Sequence, residues 1–268
     1  MSQAESSQKT VAITGGASGL GEATARRFAA DGYRVVILDQ NGEQAKAVAA
    51  DIGEMAQAHQ LDVTDEAATE ALAQQIWSEH GGCDALFTSA GILENCSTVM
   101  DMDLKAHDQL WEVNYRGTIL SCRAFGRRMI QQKKGTIVTV GSICSTHAFP
   151  LPAYNPSKTA ILRLTEILSV ELGRHGVRVN GVAPTYVITP AVQARIDAGE
   201  RDPEVIRNAG ALDMLVKPAN IASVVAFLCS DDAAAVAGVM LPVDAGWSPA
   251  TPYKSYAGGM PWNRPSNG

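Results

Sequence analysis

Short apolar, β-branched runs alternate with longer helical patterns along most of the chain, and this alternation limits the fold more than any other feature. Residues 10–13 read as a buried strand. Residues 22–30 read as a helix, with Ala23, Ala25, Phe28 and Ala29 on one apolar stripe. The pattern repeats: strand 33–38, helix 43–52, strand 57–61, helix 66–79 and strand 85–88. A long helix is then predicted over 105–132, followed by strand 136–140, helix 153–172, strand 177–182, helix 219–228 and strand 239–242. Strands separated by helices imply right-handed βαβ units. The strands are continuously apolar, as a sheet covered on both faces requires. The expected fold class is therefore α/β: one doubly wound, Rossmann-type domain with a seven-stranded parallel sheet and helices on both faces.

Residues 9–247 carry this pattern. Residues 1–8 are polar and are expected to be flexible. Residues 186–217 interrupt the alternation and are expected to form a substrate loop. Residues 248–268 are rich in Pro and Gly and are expected to form an extended tail. The chain has 268 residues, of which 46% are hydrophobic and 19% charged, so it can bury a large core. The formal net charge is -6, which disfavours nucleic acid and anionic membrane surfaces as partners. No apolar run is long enough to span a bilayer, and the first residues do not resemble a signal peptide. The 5 cysteines are scattered and the histidines lack metal-ligand spacing. These features predict free thiols, a cytoplasmic protein and no bound metal.

Directly after the first strand comes Thr14-Gly15-Gly16-Ala17-Ser18-Gly19-Leu20-Gly21, and a helix follows. Glycines allow a tight turn and close approach of a pyrophosphate, and the helix amino terminus offers free N–H groups and partial positive charge. The spacing G-x-x-x-G-x-G differs from G-x-G-x-x-G, and no G-K-[ST] follows to suggest a nucleoside triphosphatase. Gly15, Ser18, Gly19, Leu20 and Gly21 are thus candidate phosphate contacts. Asp39 ends the second strand, where a carboxylate can accept hydrogen bonds from ribose hydroxyls and repel a 2′-phosphate. Neither Ser18 nor Gln40 is basic, so NAD is expected as cofactor. Asp39 could instead cap the turn into Asn41-Gly42.

Tyr154-Asn155-Pro156-Ser157-Lys158 places a phenol and an ammonium on one helix face. A phenol titrates near pH ~10 and is a poor base at neutrality. A neighbouring ammonium favours the phenolate, which is the tuning general base catalysis needs. Pro156 is tolerated only in the first helical turn, so Tyr154 stands at the helix entrance, near the carboxyl ends of the strands. Ser142 follows strand 136–140 and could polarise a carbonyl, with Ser145 as a rival. Asn114 lies within the long helix and is not a strong helix former; its side chain or a local kink could hold a water leading to Lys158.

Taken in order, these residues resemble the short-chain dehydrogenase/reductase family, over about residues 9–247. Leu61-Asp62-Val63, Ala90-Gly91, Asn180 and Pro184 to Thr189 complete the match. The resemblance implies hydride transfer, with Tyr154 as acid/base and Lys158 also binding ribose. It implies that Ser142 positions substrate and that Asn114 supports a proton relay. Asp62 and Val63 would contact adenine, Ser89, Ala90 and Gly91 would line the cofactor cleft, and Val187 and Thr189 would bind the carboxamide. A homotetramer is implied as well. The departures are Ser89 in place of the usual Asn, Pro184-Thr185 in place of Pro-Gly, and a missing arginine before Pro218.

The expected substrate is a small alcohol or carbonyl compound. Glu94, Asn95, Cys144, His147 and Tyr186 are its candidate contacts. Their polarity favours a secondary alcohol such as a polyol or sugar, with a 3-oxoacyl or hydroxysteroid-type substrate as the alternative. A non-catalytic NAD-binding protein and a lyase or epimerase are the competing classes, because fold alone does not establish chemistry.

Overall fold

A computed structural model describes residues 8–260. Residues 1–7 and 261–268 lie outside the described residues, so most of the flexible segment expected over 1–8, and the end of the expected tail, have no structural counterpart here. The strands are β1 (Thr10–Thr14), β2 (Arg34–Asp39), β3 (Ala56–Gln60), β4 (Ala85–Thr88), β5 (Gly135–Val140), β6 (Val177–Pro184) and β7 (Met240–Val243). They form one sheet in the order β3-β2-β1-β4-β5-β6-β7, and every pairing is parallel. The order reverses between β1 and β4. The crevice beyond their carboxyl ends is where ligands bind in such sheets.

Alternate residues of each strand enter opposite cores. Val11, Ile13, Val35, Ile37, Phe87 and Val138 face the layer of α1 (Gly19–Ala30), α2 (Gly42–Ile52) and α9 (Pro218–Cys229). Ala12, Val36, Leu38, Leu86 and Ile137 face α3 (Glu66–His80) and α5 (Gly117–Gln132). Both faces are buried, which is why the strands read as unbroken apolar runs. Helix α6 (Tyr154–Gly173) packs on this second face and presents Lys158 and Ile161 inward.

Three segments differ from the sequence reading. The single helix expected over 105–132 is two helices, α4 (Leu104–Trp111) and α5, joined through a π-helical turn at Glu112–Arg116. Asn114 sits in that turn, so the irregularity expected there takes the form of a wide turn. The irregular 186–217 segment contains α7 (Pro190–Asp197) and α8 (Pro203–Ala209), each with Pro in its first turn and an acceptor side chain at its N-cap, Thr189 and Asp202. The start of the expected extended tail is instead a helix, α10 (Trp247–Lys254). Its proline density suggested extension, but Pro249 stands in the first turn, where its missing N–H is harmless. Tertiary contacts secure the rest: the Lys254 ammonium donates to the carbonyls of Asn208 and Gly210.

Candidate active site

The glycine turn lies against the end of β4. Gly15 has φ +66, and a Cβ there would come within 2.6 Å of the Ala90 nitrogen. A Cβ on Gly21 would meet the Gly15 carbonyl oxygen at 2.1 Å, so the turn closes only with glycine. Gly19, with φ +54, opens α1 and faces Thr189: a Cβ there would stand 3.4 Å from the threonine methyl carbon. The turn and the segment after β6 therefore form two walls of one crevice. Asp39 joins the turn to β2. Its carboxylate accepts from Ala17 N at 3.0 Å and from Asn41 N at 3.0 Å, so the capping role expected as an alternative is real. Asp62 uses one oxygen on Thr64, accepting from its N at 2.9 Å and its hydroxyl at 2.8 Å. Val63 is buried against Gly117 in the first turn of α5. Ser89 donates its N–H to the Thr14 carbonyl at 3.1 Å, which keeps the β4 end beside the glycines.

The reactive side chains come together at the ends of β5 and β6. Ser142 leads a short 3-10 turn, and its hydroxyl oxygen accepts from Cys144 N at 3.1 Å. That acceptance leaves the Ser142 proton free, and the hydroxyl lies close enough to the Tyr154 phenol to favour its ionised form. Ser145 is committed differently: it donates to the Lys158 carbonyl at 2.8 Å and accepts from Ser142 N at 3.2 Å. Of the two serines, Ser145 is the one whose hydroxyl is spent on the backbone. Lys158 is buried, donates to the Val140 carbonyl at 2.7 Å, and lies 5.3 Å from the Tyr154 ring centre.

Electrostatics at this cluster run partly against the sequence expectation. Burial, with the Cys144 thiol beside it, pushes the Tyr154 phenol above its ordinary value, and the nearby Ser142 hydroxyl only partly offsets that. Burial also pulls the Lys158 ammonium down to about 8. The ammonium is adjacent but desolvated, so the protein alone does not produce the lowered phenol expected from Y-x-x-x-K. Burial raises the Cys144 thiol too, keeping it neutral beside them.

Asn114 spends its amide on the backbone of Ile92, accepting from its N at 2.8 Å and donating to its carbonyl at 3.0 Å. Of the two ways expected for it to hold a water, the side chain is thus occupied and the backbone turn remains. Val187 pairs with Val216 as an isolated bridge, and its carbonyl accepts from Thr189 N at 2.8 Å. Thr185, at the departure from Pro-Gly, has a buried hydroxyl without a protein partner among the described residues.

The substrate candidates are less available than their polarity suggests. Glu94 caps α6: its carboxylate accepts from Ala153 N at 3.0 and 3.1 Å and from Tyr154 N at 2.7 Å. Asn95 accepts from Arg195 at 3.0 Å. His147 shares its Nδ1 with the Ile143 carbonyl and Thr146, and Tyr186 is 38% exposed at the rim. Sequence reasoning missed two residues here. The Asn155 side chain holds the 144–149 loop to α6, donating to the Cys144 and His147 carbonyls and accepting from Phe149 N. Trp247 closes an aromatic cluster, with ring centres 5.3 Å from His147 and 5.2 Å from Phe149. Asn155 was visible beside Tyr154, but nothing local foretold its loop contacts. Trp247 was visible as the last residue of the patterned region.

These residues fit a nicotinamide dinucleotide. The cradle between Gly15, Gly19 and Thr189 excludes side chains, and the unpartnered Thr185 hydroxyl is a buried group awaiting one.

A family model described as enoyl-(acyl carrier protein) reductase matches residues 15–248. Short-chain dehydrogenase reductase 3c of Arabidopsis thaliana is 36% identical over 247 residues, 91% of this chain and 96% of that protein. The chain is a short-chain dehydrogenase/reductase. Another relative of this dehydrogenase/reductase is the mitochondrial (-)-isopiperitenol/(-)-carveol dehydrogenase of Mentha piperita, 37% identical over 89% of this chain and 91% of that one. A solved structure titled ribose-5-phosphate isomerase from Brucella melitensis 16M superposes with a TM-score of 0.90 at 35% identity, covering 95% of this chain and 97% of the other. The 3-ketoacyl-(acyl-carrier-protein) reductase from Brucella melitensis complexed with NADH gives 0.84 at 31% identity, covering 90% and 98%.

Proposed function

We propose that this dehydrogenase/reductase transfers a hydride between NAD(H) and a secondary alcohol or ketone, with Tyr154 as the acid–base group. The carrying observation is the Tyr154 ring 5.3 Å from the buried Lys158 ammonium, at the strand ends where Ser142 also lies. Gly15, Ser18, Gly19, Leu20 and Gly21 would hold the pyrophosphate, and Asp62 and Val63 the adenine. Ser89, Ala90 and Gly91 would line the cleft, and Val187 and Thr189 would take the carboxamide. When bound, the dinucleotide supplies the hydride acceptor or donor and a positive ring.

The chain's own groups handle the proton. Ser142 donates to the substrate oxygen and orients it. Tyr154 takes the hydroxyl proton on oxidation, or returns it on reduction. Lys158 stabilises the phenolate and would bind ribose, and the π-helical turn at Asn114 would open a path for the proton to solvent. The gathering of Ser142, Tyr154 and Lys158 at the strand ends favours catalysis over a purely cofactor-binding role. An isomerase or epimerase reading is separated by measuring net NADH formation, since either would give none.

NAD preference rests on the carboxylate fixed at the end of β2. Asp39→Ala with Gln40→Arg is expected to shift kcat/KM toward NADP. An unchanged ratio of the two cofactors would refute the preference.

For the substrate body, the reading departs from the polyol expectation. The polar atoms of Glu94 and Asn95 are bonded to protein, while His147, Phe149 and Trp247 offer aromatic faces. These faces suit an apolar ring, as do the relatives whose names include carveol dehydrogenase. The polyol reading keeps the support of the partly exposed Tyr186 hydroxyl. A panel of cyclic alcohols, polyols, sugars, steroids and acyl thioesters discriminates. Turnover confined to polyols or sugars sinks the apolar reading. The homotetramer implied by the resemblance and the cytoplasmic location expected from the scattered cysteines belong to this proposal; exposed Ile167 and Val170 on α6 support association.

A further inference from the structure

We infer that Glu94 is a positioning residue: it fixes the start of α6, and through it the place of the Tyr154 phenol. The first backbone donors of α6 are the point of departure. A helix leaves its first N–H groups without internal partners, and Ala153 at the N-cap has no side-chain oxygen to offer them. Asn155 N finds the Leu151 carbonyl at 2.9 Å, and Ser157 N finds that of Ala153 at 3.3 Å. Pro156 has no N–H. The two remaining donors, Ala153 N and Tyr154 N, both go to Glu94, 59 and 60 positions earlier in the chain. The bond to Tyr154 N is the shorter, at 2.7 Å. A carboxylate in this place also meets the positive end of the helix dipole.

Glu94 is itself anchored from the cofactor side. Two residues before it, Ile92 is held at both N and O by Asn114. Two residues before that, Ala90 packs on Gly15 of the glycine turn. A continuous run of contacts therefore joins the dinucleotide cradle to the backbone of the proton-transferring residue. It passes through the β4 loop rather than through the sheet. In this arrangement the Glu94 carboxylate binds no substrate hydroxyl. Its loss lets the first turn of α6 drift and moves the phenol relative to Ser142.

The inference rests on the reading of Tyr154 as the acid–base group, and the experiment separates the two. Glu94→Ala and Glu94→Gln are compared in the full chain, using the best alcohol of the panel. Glu94→Ala is expected to lower kcat roughly 10- to 100-fold, the scale of a small misplacement, while the KM for alcohol and the Kd for NADH stay put. Glu94→Gln, which keeps one acceptor for Tyr154 N, is expected to recover most of that loss. An ultraviolet difference titration, each protein against its Tyr154→Phe counterpart, reads the phenol directly. In Glu94→Ala the Tyr154 titration should move back toward the ordinary phenol value as water enters. Unchanged kcat with an unchanged titration overturns the inference, as does a loss confined to the alcohol KM. If Glu94→Ala does not fold, Glu94→Gln carries the test, with a smaller shift in the same direction required. A wild-type protein that turns over no alcohol defeats the functional reading, while the titration still judges Glu94.

Discussion

Tyr154 and Lys158 show how burial and proximity compete at a single site. Burial lifts the phenol and lowers the ammonium to about 8, so neither group is charged as readily as in water. In the proposed reaction, alcohol oxidation needs the Tyr154 phenolate and ketone reduction the phenol. Oxidation is therefore expected to rise toward alkaline pH, while reduction is level at neutrality and falls only when the phenol ionises. The wild-type profile should carry an inflection near the Lys158 value of about 8, and Lys158→Arg should remove it, because guanidinium stays charged. Folding is linked with a definite sign. The unfolded lysine binds its proton up to pH ~10.4, so this residue adds stability as pH rises from about 8 toward that value. Tyr154→Phe should cost about 10²- to 10⁴-fold in kcat with the NADH Kd preserved. Gly21→Ala acts elsewhere: its methyl would lie 2.1 Å from the Gly15 carbonyl oxygen. Overpacking of this kind costs about 1–3 kcal/mol, and a fluorescence titration should register it as weakened NADH binding.

Among the elements, the π-helical turn between α4 and α5 has the clearest consequence. It widens the backbone at Asn114 and lets the amide reach Ile92 in the loop after β4. Thr118 fills part of the widened turn by donating its hydroxyl to the Asn114 carbonyl at 2.7 Å. Asn114→Ala would leave the Ile92 N–H and carbonyl unpaired in a protected place, at about 1–3 kcal/mol for each group that water does not reach. Urea unfolding should detect this as a lower midpoint with an unchanged slope. Asn114→Asp keeps the acceptor and loses the donor, so its midpoint should fall between the two.

Seen whole, the molecule draws the proposed cofactor half of its site from the sheet and the proposed substrate half from segments distant in sequence. Helix α10 returns over α8 through Lys254, and Trp247 stacks on the loop between Ser142 and Tyr154. Trp247→Ala is expected to raise the KM for a cyclic alcohol while leaving the NADH Kd and the oligomer mass unchanged. A polyol substrate, if one is found, should not feel the substitution. Equal effects on both substrate types would remove the aromatic wall from the site. Among the described residues no helix is long and apolar enough to cross a membrane.

By itself the sequence determined the sheet, its parallel sense, the glycine turn and the sharing of one helix face by Tyr154 and Lys158. Those features depend on period, β-branching and chain-adjacent turns, which act over a few residues and so are written locally. It also marked Asn114 as a poor fit to a regular helix. Only the tertiary structure decided which polar side chains remain free. Glu94, Asn95 and His147 resemble substrate contacts in isolation, yet their bonds go to Tyr154, Arg195 and Ile143. The engagement of the Ser145 hydroxyl by Lys158, the folding back of α10 and the upward shift of the Tyr154 phenol were likewise set by neighbours far along the chain. Desolvation and long-range hydrogen bonding depend on who is adjacent in space, and no local pattern encodes that.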